Sequence, residues 1–104
     1  MSNTVSLETA TLLKEAGFPQ PPNWKVYAPN IEELLEQLPY SLRYVESDYW
    51  LWITKGKYCY EVRYTDAHHQ YPKYIQQADT LTEALAKMWL RLKIDGVIIK
   101  GEEE

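Results

Sequence analysis

The residues of this sequence that could act as a nucleophile, a base or a metal ligand are few and lie apart. The single cysteine, Cys59, falls within a predicted strand, and both histidines, His68 and His69, fall within one predicted loop. A cysteine nucleophile needs an adjacent base that lowers its pKa, and the sequence places none beside Cys59. Neighbouring histidines diverge in any regular backbone and lack the spacing of a zinc site. The sequence therefore predicts no catalytic residue and no metal site.

Phosphate-binding motifs are also missing from the sequence. The chain has four glycines and contains neither GxxxxGK[ST] nor GxGxxG, the loops that hold nucleotide phosphates. Glu61 and Asp66 offer two carboxylates for acid–base catalysis, but any small protein contains such pairs. We therefore expect a protein that is not an enzyme and that has no cofactor.

The composition is that of one folded domain with an unusual set of aromatic residues. Nine residues are Tyr, four are Trp and one is Phe, so most of the large rings carry a polar group that suits a half-exposed surface. The net charge of −4 includes Glu102, Glu103 and Glu104, and the rest of the chain is nearly neutral. This balance disfavours sequence-independent binding of nucleic acid. A single cysteine excludes an internal disulfide bond.

The sequence shows no secretion or membrane signal. Residues 1–5 lack a basic stretch followed by an apolar one, and the longest apolar run, Tyr49 to Ile53, is too short to span a bilayer. We expect a cytoplasmic protein with no membrane partner. The expected organisation is a single domain over residues 1–104 with disordered ends at residues 1–5 and 101–104.

Two short helices are predicted in the first third of the chain. Apolar residues recur at helical spacing in residues 6–16, and Gly17 follows as a cap. A proline-rich connection over residues 19–22 comes next. Asn30 and Glu33 then form the capping box of a second helix, which ends before the next proline.

From Leu42 onward, apolar residues recur with a period of two, which is typical of strands. Tight turns are predicted at Glu46-Ser47-Asp48 and at Lys55-Gly56. The predicted strands cover residues 42–46, 49–54 and 58–65.

The last third of the chain is predicted to be a loop followed by a helix. Residues 66–79 are polar and form a long connection. The helix runs from Thr80 to Lys93, with Glu83 completing a capping box and Gly96 just beyond its end. Residues 97–99 either add a terminal strand or dock onto the domain.

Together these elements predict an α+β domain. A three-stranded antiparallel meander packs against the C-terminal helix and one or two short N-terminal helices, in the order α-α-β-β-β-α. The residues predicted to form the core are Leu51, Ile53, Tyr60, Val62, Leu85, Met88 and Leu92.

The middle strand is apolar on both faces, although an antiparallel sheet with helices on one face is normally polar on the other. Either the proline-rich segment or the loop after the sheet covers Trp50 and Trp52, or these residues bind a partner protein, including a second copy of the chain. The second alternative describes a non-catalytic protein-interaction module. Its predicted partner-binding residues are Trp50, Trp52, Arg43 and Arg63.

Nucleic-acid binding is the alternative function of this sheet. The order of a helix, three antiparallel strands and a helix is that of a double-stranded-RNA-binding domain, but residues 80–86 lack the lysines that such domains carry there. Exposed Tyr and Trp rings can also stack on the bases of a single strand. The basic residues near them are Lys55, Lys57, Arg43 and Arg63.

Two parts of the sequence resemble known groups of proteins. Leu12 to Phe18, the aromatic meander and Thr80 to Leu85 are together similar to small uncharacterised proteins of bacteria, phages and prophages. That resemblance implies an origin in a mobile element and no activity. The stretch from Tyr60 to Leu92 is similar to HicB-type antitoxins, and it implies an antitoxin-like protein as a further alternative. His68 to Gln77 replace the glycine-rich loop of that family, and no DNA-binding tail follows Gly101.

Overall fold

The computed structural model describes residues 4–22, 26–43, 48–66 and 72–97, which form three helices and four strands. The fold is α+β, as predicted, but it has one strand more than expected. In chain order the elements are α1 (Leu7–Glu15), α2 (Ile31–Gln37), β1 (Ser41–Arg43), β2 (Asp48–Lys55), β3 (Tyr60–Thr65), β4 (Tyr74–Ala78) and α3 (Leu81–Ile94).

The four strands form one sheet in the order β1-β2-β3-β4, and each strand is antiparallel to its neighbours. The prediction of three strands is wrong, because residues 74–78 of the predicted loop form β4. β4 contains Gln76 and Gln77, and their polarity hides its alternation. Tyr74 and Ala78 are half-buried and pack against the core, whereas Ile75 and Gln77 are exposed.

The connection between β2 and β3 is longer than the predicted Lys55-Gly56 turn. Residues 56–59 lie outside both strands, and the Gly56 N–H donates to the Cys59 carbonyl oxygen at 2.7 Å. Tyr58 lies in this connection and is 83% exposed, and β3 begins at Tyr60. Cys59 accordingly lies in the hairpin connection and not in the middle of a strand. Of the predicted first strand, residues 44–46 lie outside the described residues.

α1 begins and ends where its caps predict. Ser6 accepts a hydrogen bond from the Thr9 N–H at 3.2 Å, and Gly17 has a φ of 98° just after the helix. Thr4 and Val5 were expected in a disordered end, but Thr4 bridges to Asn30 and Val5 is buried. The folded domain therefore includes the residues immediately before α1.

α2 has the predicted capping box. Asn30 Oδ1 accepts from the Glu33 N–H at 2.9 Å, and Glu33 Oε1 accepts from the Asn30 N–H at 3.0 Å. The Tyr27 hydroxyl donates to the same carboxylate at 2.7 Å. This hydrogen bond is the largest cause of a raised pKa of Tyr27. Desolvation and the negative charge of Glu33 raise it further.

α3 starts at the predicted N-cap, because Thr80 accepts from the Glu83 N–H at 3.2 Å. The predicted return bond from the Glu83 side chain is replaced by contacts with α1. The Glu83 carboxylate accepts from the Ser6 N–H at 2.6 Å and from the Thr9 hydroxyl at 2.6 Å. Glu83 therefore joins the first helix to the last one. Beyond α3, Val97 docks onto the core, and residues 98 and 99 lie outside the described residues.

The core lies between one face of the sheet and the three helices. Four of the predicted core residues, Val62, Leu85, Met88 and Leu92, are buried, whereas Leu51 and Tyr60 are half-buried. The prediction for Ile53 was wrong, since its side chain is 40% exposed. α3 packs on β3 and β4. Residues 52–55 of β2 extend beyond this helix and are exposed.

The described part of the proline-rich segment lies with the helices. Phe18 is buried with its ring 5.0 Å from that of Trp89 on α3, and Gln20 Oε1 accepts from the Tyr27 N–H at 2.9 Å. These contacts hold residues 18–20 at the helical layer. They do not form the predicted cover over Trp50 and Trp52. The other predicted cover, the loop after the sheet, lies partly outside the described residues.

Tyr64 is fully buried, and its hydroxyl donates a hydrogen bond to the backbone oxygen of Pro39. Burial raises the pKa of Tyr64 well above its ordinary value. The unfolded chain therefore loses this proton at a lower pH than the folded chain does. The contribution of Tyr64 to stability is complete below about pH 10 and is lost as the pH rises further.

Tyr64→Phe is expected to lower the free energy of unfolding by about 1–2 kcal/mol at neutral pH, because the Pro39 oxygen loses its donor. It should also make the loss of stability at alkaline pH shallower. Part of the loss should remain, because the pKa of Tyr27 is also raised. Urea unfolding from about pH 7 to about pH 11 measures both effects. Tyr58→Phe is the exposed control and should change stability at neutral pH by less than about 0.5 kcal/mol. An alkaline decline as steep as that of the wild type would contradict this account.

Candidate functional site

The sheet has one face against the helices and a second face, here named the outer face, that no described helix covers. Val62 and Tyr64 of β3 are buried against the helices. Glu61, Arg63 and Thr65 point to the opposite face, because side chains alternate along a strand. The same alternation applies to the paired strands. The outer face consists of Ser41, Arg43, Asp48, Trp50, Trp52, Thr54, Glu61, Arg63, Thr65, Ile75 and Gln77.

Three large apolar side chains of the outer face are exposed. Trp50 is 38% exposed, Trp52 is 45% exposed and Ile75 is 43% exposed. Trp52 lies opposite Arg63, and Arg63 lies opposite Ile75. Trp52, Arg63 and Ile75 therefore form a row across β2, β3 and β4. A cluster of exposed apolar residues on a sheet face is typical of an interaction surface.

An ion pair lies at the centre of the outer face. The Arg63 guanidinium pairs with the Glu61 carboxylate, and Gln77 Nε2 donates to Glu61 Oε1 at 3.1 Å. Both charged side chains are partly buried, which reduces their screening by water. These contacts hold the guanidinium beside Trp52 and Ile75.

Two buried polar atoms of this face have no hydrogen-bond partner among the described residues. They are Arg63 Nε and the hydroxyl oxygen of Thr65, which lies opposite Trp50. Buried polar atoms usually have a partner. The outer face thus retains hydrogen-bonding capacity beneath its apolar side chains.

The outer face carries no net charge. Its two bases, Arg43 and Arg63, are balanced by two acids, and each base has an acid close to it. Arg43 lies opposite Asp48 in the register of β1 and β2, and Arg63 pairs with Glu61. A surface of this kind does not attract a polyanion strongly.

The structure brings together the four residues that the sequence indicates for partner binding. Trp50, Trp52 and Arg63 lie side by side on β2 and β3, and Arg43 lies on the same face at its β1 edge. Ile75 is not among the predicted residues, because it lies within the predicted loop over residues 66–79. The only signal that could have found it is the pair Tyr74 and Ile75, whose residue types favour strands.

The single cysteine lies in the connection between β2 and β3. Cys59 is half-buried and borders an open cleft together with Asp79 and Lys87. Within residues 4–22, 26–43, 48–66 and 72–97, no group of three or more His, Cys, Asp or Glu side chains is arranged to hold a metal ion. His68 and His69 lie outside the described residues.

Among the helices that the structure describes, none combines the length and apolarity needed to cross a membrane. The likenesses to phage and bacterial proteins and to HicB-type antitoxins stay predictions. No protein-family model matches the chain, and comparisons with curated proteins and with solved structures give no significant match.

Proposed function

We propose that this protein is a non-catalytic interaction module that binds a partner protein through the outer face of its sheet. The observation that carries this proposal is the exposure of Trp50, Trp52 and Ile75 together on the face that lies away from the helices. Tryptophan and arginine are the residue types that most often dominate the binding energy of protein interfaces. Arg63 lies among these apolar side chains, so the face has both types at its centre.

Binding of single-stranded nucleic acid is the second candidate function of the outer face. The two exposed indoles beside Arg63 favour it, because bases stack on aromatic rings next to basic groups. The pairing of Arg63 with Glu61, and the position of Asp48 opposite Arg43, oppose it. Binding to nucleic acid requires an excess of positive charge that this face lacks, so we favour a protein partner.

Photo-cross-linking tests the proposal. The photoreactive residue p-benzoylphenylalanine in place of Ile75 is expected to form cross-links to protein when native cells are irradiated, because position 75 lies next to Arg63 and in the same row as Trp52 on the outer face. Mass spectrometry identifies the cross-linked species. Adding Trp52→Ala to the same chain should abolish the product, since the neighbouring indole supplies much of the contact.

The control for this experiment is the same probe in place of Leu7 on α1, a position 73% exposed and remote from the outer face. It should not give the product that position 75 gives. Cross-links from position 75 to nucleic acid would favour the second candidate function. Equal protein cross-linking from both positions would contradict a specific role of the outer face.

A further inference from the structure

We propose that the partner of the outer face is a second copy of this chain, bound face to face about a twofold axis. This inference rests on the proposed function and names its partner. A twofold contact brings one surface against itself, so a face with an excess of either charge repels its copy. The outer face is neutral and carries both signs, since Arg43 and Arg63 are balanced by Asp48 and Glu61.

The register of the two central strands decides which residues meet. An axis parallel to the strands and midway between β2 and β3 places β2 of one copy over β3 of the other, in the aligned packing that sheets adopt. Residues opposite each other in the register then face each other across the interface. Trp52 lies opposite Arg63, and Trp50 lies opposite Thr65.

Across this axis each Trp52 indole covers the Arg63 guanidinium of the other copy. An aromatic ring over a guanidinium is a favourable cation–π contact, and it is stronger when water is excluded. The twofold axis forms this contact twice, because each copy supplies both residues. Thr65 is fully buried in its own chain, so the contact between the copies centres on Trp52 and Arg63.

The size of the outer face limits the strength of the dimer. Its four strands have 3, 8, 6 and 5 residues, which at about 3.3 Å per residue and about 4.8 Å between strands give an area of about 350 Å² for each copy. Stable complexes use about 800 Å² for each partner. An interface of this size belongs to the class of weak, transient complexes, so we propose a reversible dimer and take a dissociation constant on the order of 100 µM as the value to test.

Sedimentation equilibrium at about 5 to about 500 µM brackets this dissociation constant. The average mass should rise from one chain toward two, and Trp52→Lys should weaken association at least about tenfold, because a lysine would face Arg63 of the other copy. Ile53→Lys is the matched control. Ile53 follows Trp52 on the same strand, is 40% exposed and lies on the opposite face, so this variant should associate like the wild type.

A wild-type chain that stays monomeric at every concentration would overturn the second-copy proposal. So would self-association that Trp52→Lys leaves unchanged. A monomeric chain whose position 75 cross-links to a different protein would refute the dimer and leave the proposed function intact. The lack of any protein cross-link from position 75 in a monomeric chain would remove both.

Discussion

Trp89→Ala is expected to lower the free energy of unfolding by about 3–5 kcal/mol, a large share of the stability of a typical small domain. The Trp89 side chain is 2% exposed on the buried face of α3, and its ring lies 5.0 Å from that of Phe18 in an edge-to-face arrangement. Truncation would leave a cavity between α3 and the segment after α1. We expect partial unfolding at room temperature.

Urea unfolding followed by circular dichroism measures this effect. The matched control is Trp52→Ala, which removes the same side chain from a position 45% exposed and should cost about 1 kcal/mol or less. A protein concentration near 5 µM, below the proposed dissociation constant, keeps association from contributing. Similar losses in the two variants would contradict the division of the tryptophans between the core and the outer face.

Glu83→Ala is expected to lower the free energy of unfolding by about 2–3 kcal/mol, because hydrogen bonds to a charged group contribute more than neutral ones. The variant leaves the Ser6 N–H and the Thr9 hydroxyl without their acceptor. It also removes an acid from the first turn of α3, where negative charge is favourable. Equilibrium denaturation measures the loss.

Two further variants show whether the contact with α1 is the cause. Glu32→Ala removes an exposed acid from the first turn of α2 and should cost less than about 0.5 kcal/mol. Combining Glu83→Ala with Thr9→Ala should cost clearly less than the two single losses added together, because both remove the same hydrogen bond. Additive losses would show that Glu83 stabilises α3 by another route.

The parts of the fold that could be predicted from the sequence are those determined by neighbouring residues. Asn30 with Glu33 and Gly17 after α1 gave correct helix boundaries, since a cap depends on residues three or four positions apart. The hairpin strands were also predicted within a few residues. Period-two alternation and a glycine in the connection are local signals.

The features that the sequence did not reveal depend on contacts between distant residues. β4 has no strong strand pattern of its own, and its position is determined by pairing with β3 and packing under α3. The Glu83 side chain could have closed a local capping box but instead binds residues 74 and 77 positions away. Local patterns cannot distinguish these two outcomes, because the backbone of α3 starts in the same way in both.

The same difference between local signals and long-range contacts applies to the candidate site. Alternation was enough to place Trp50 and Trp52 on the face away from Leu51, because strand geometry alone determines it. Ile75 was missed because it joins them only through β4, which the sequence did not predict. The neutrality of the face also required the register, which sets Arg43 opposite Asp48.

The hydrogen bonds of Glu83 have a consequence for the order of folding during synthesis. Ser6 leaves the ribosome 77 residues before Glu83 does. A helix of nine residues is marginal in water by itself, and Ala10 and Leu13 of α1 are buried in the core that α3 completes. The first helix of the chain is therefore among the last elements to become stable, and a nascent chain that stops before α3 exposes the apolar face of its sheet.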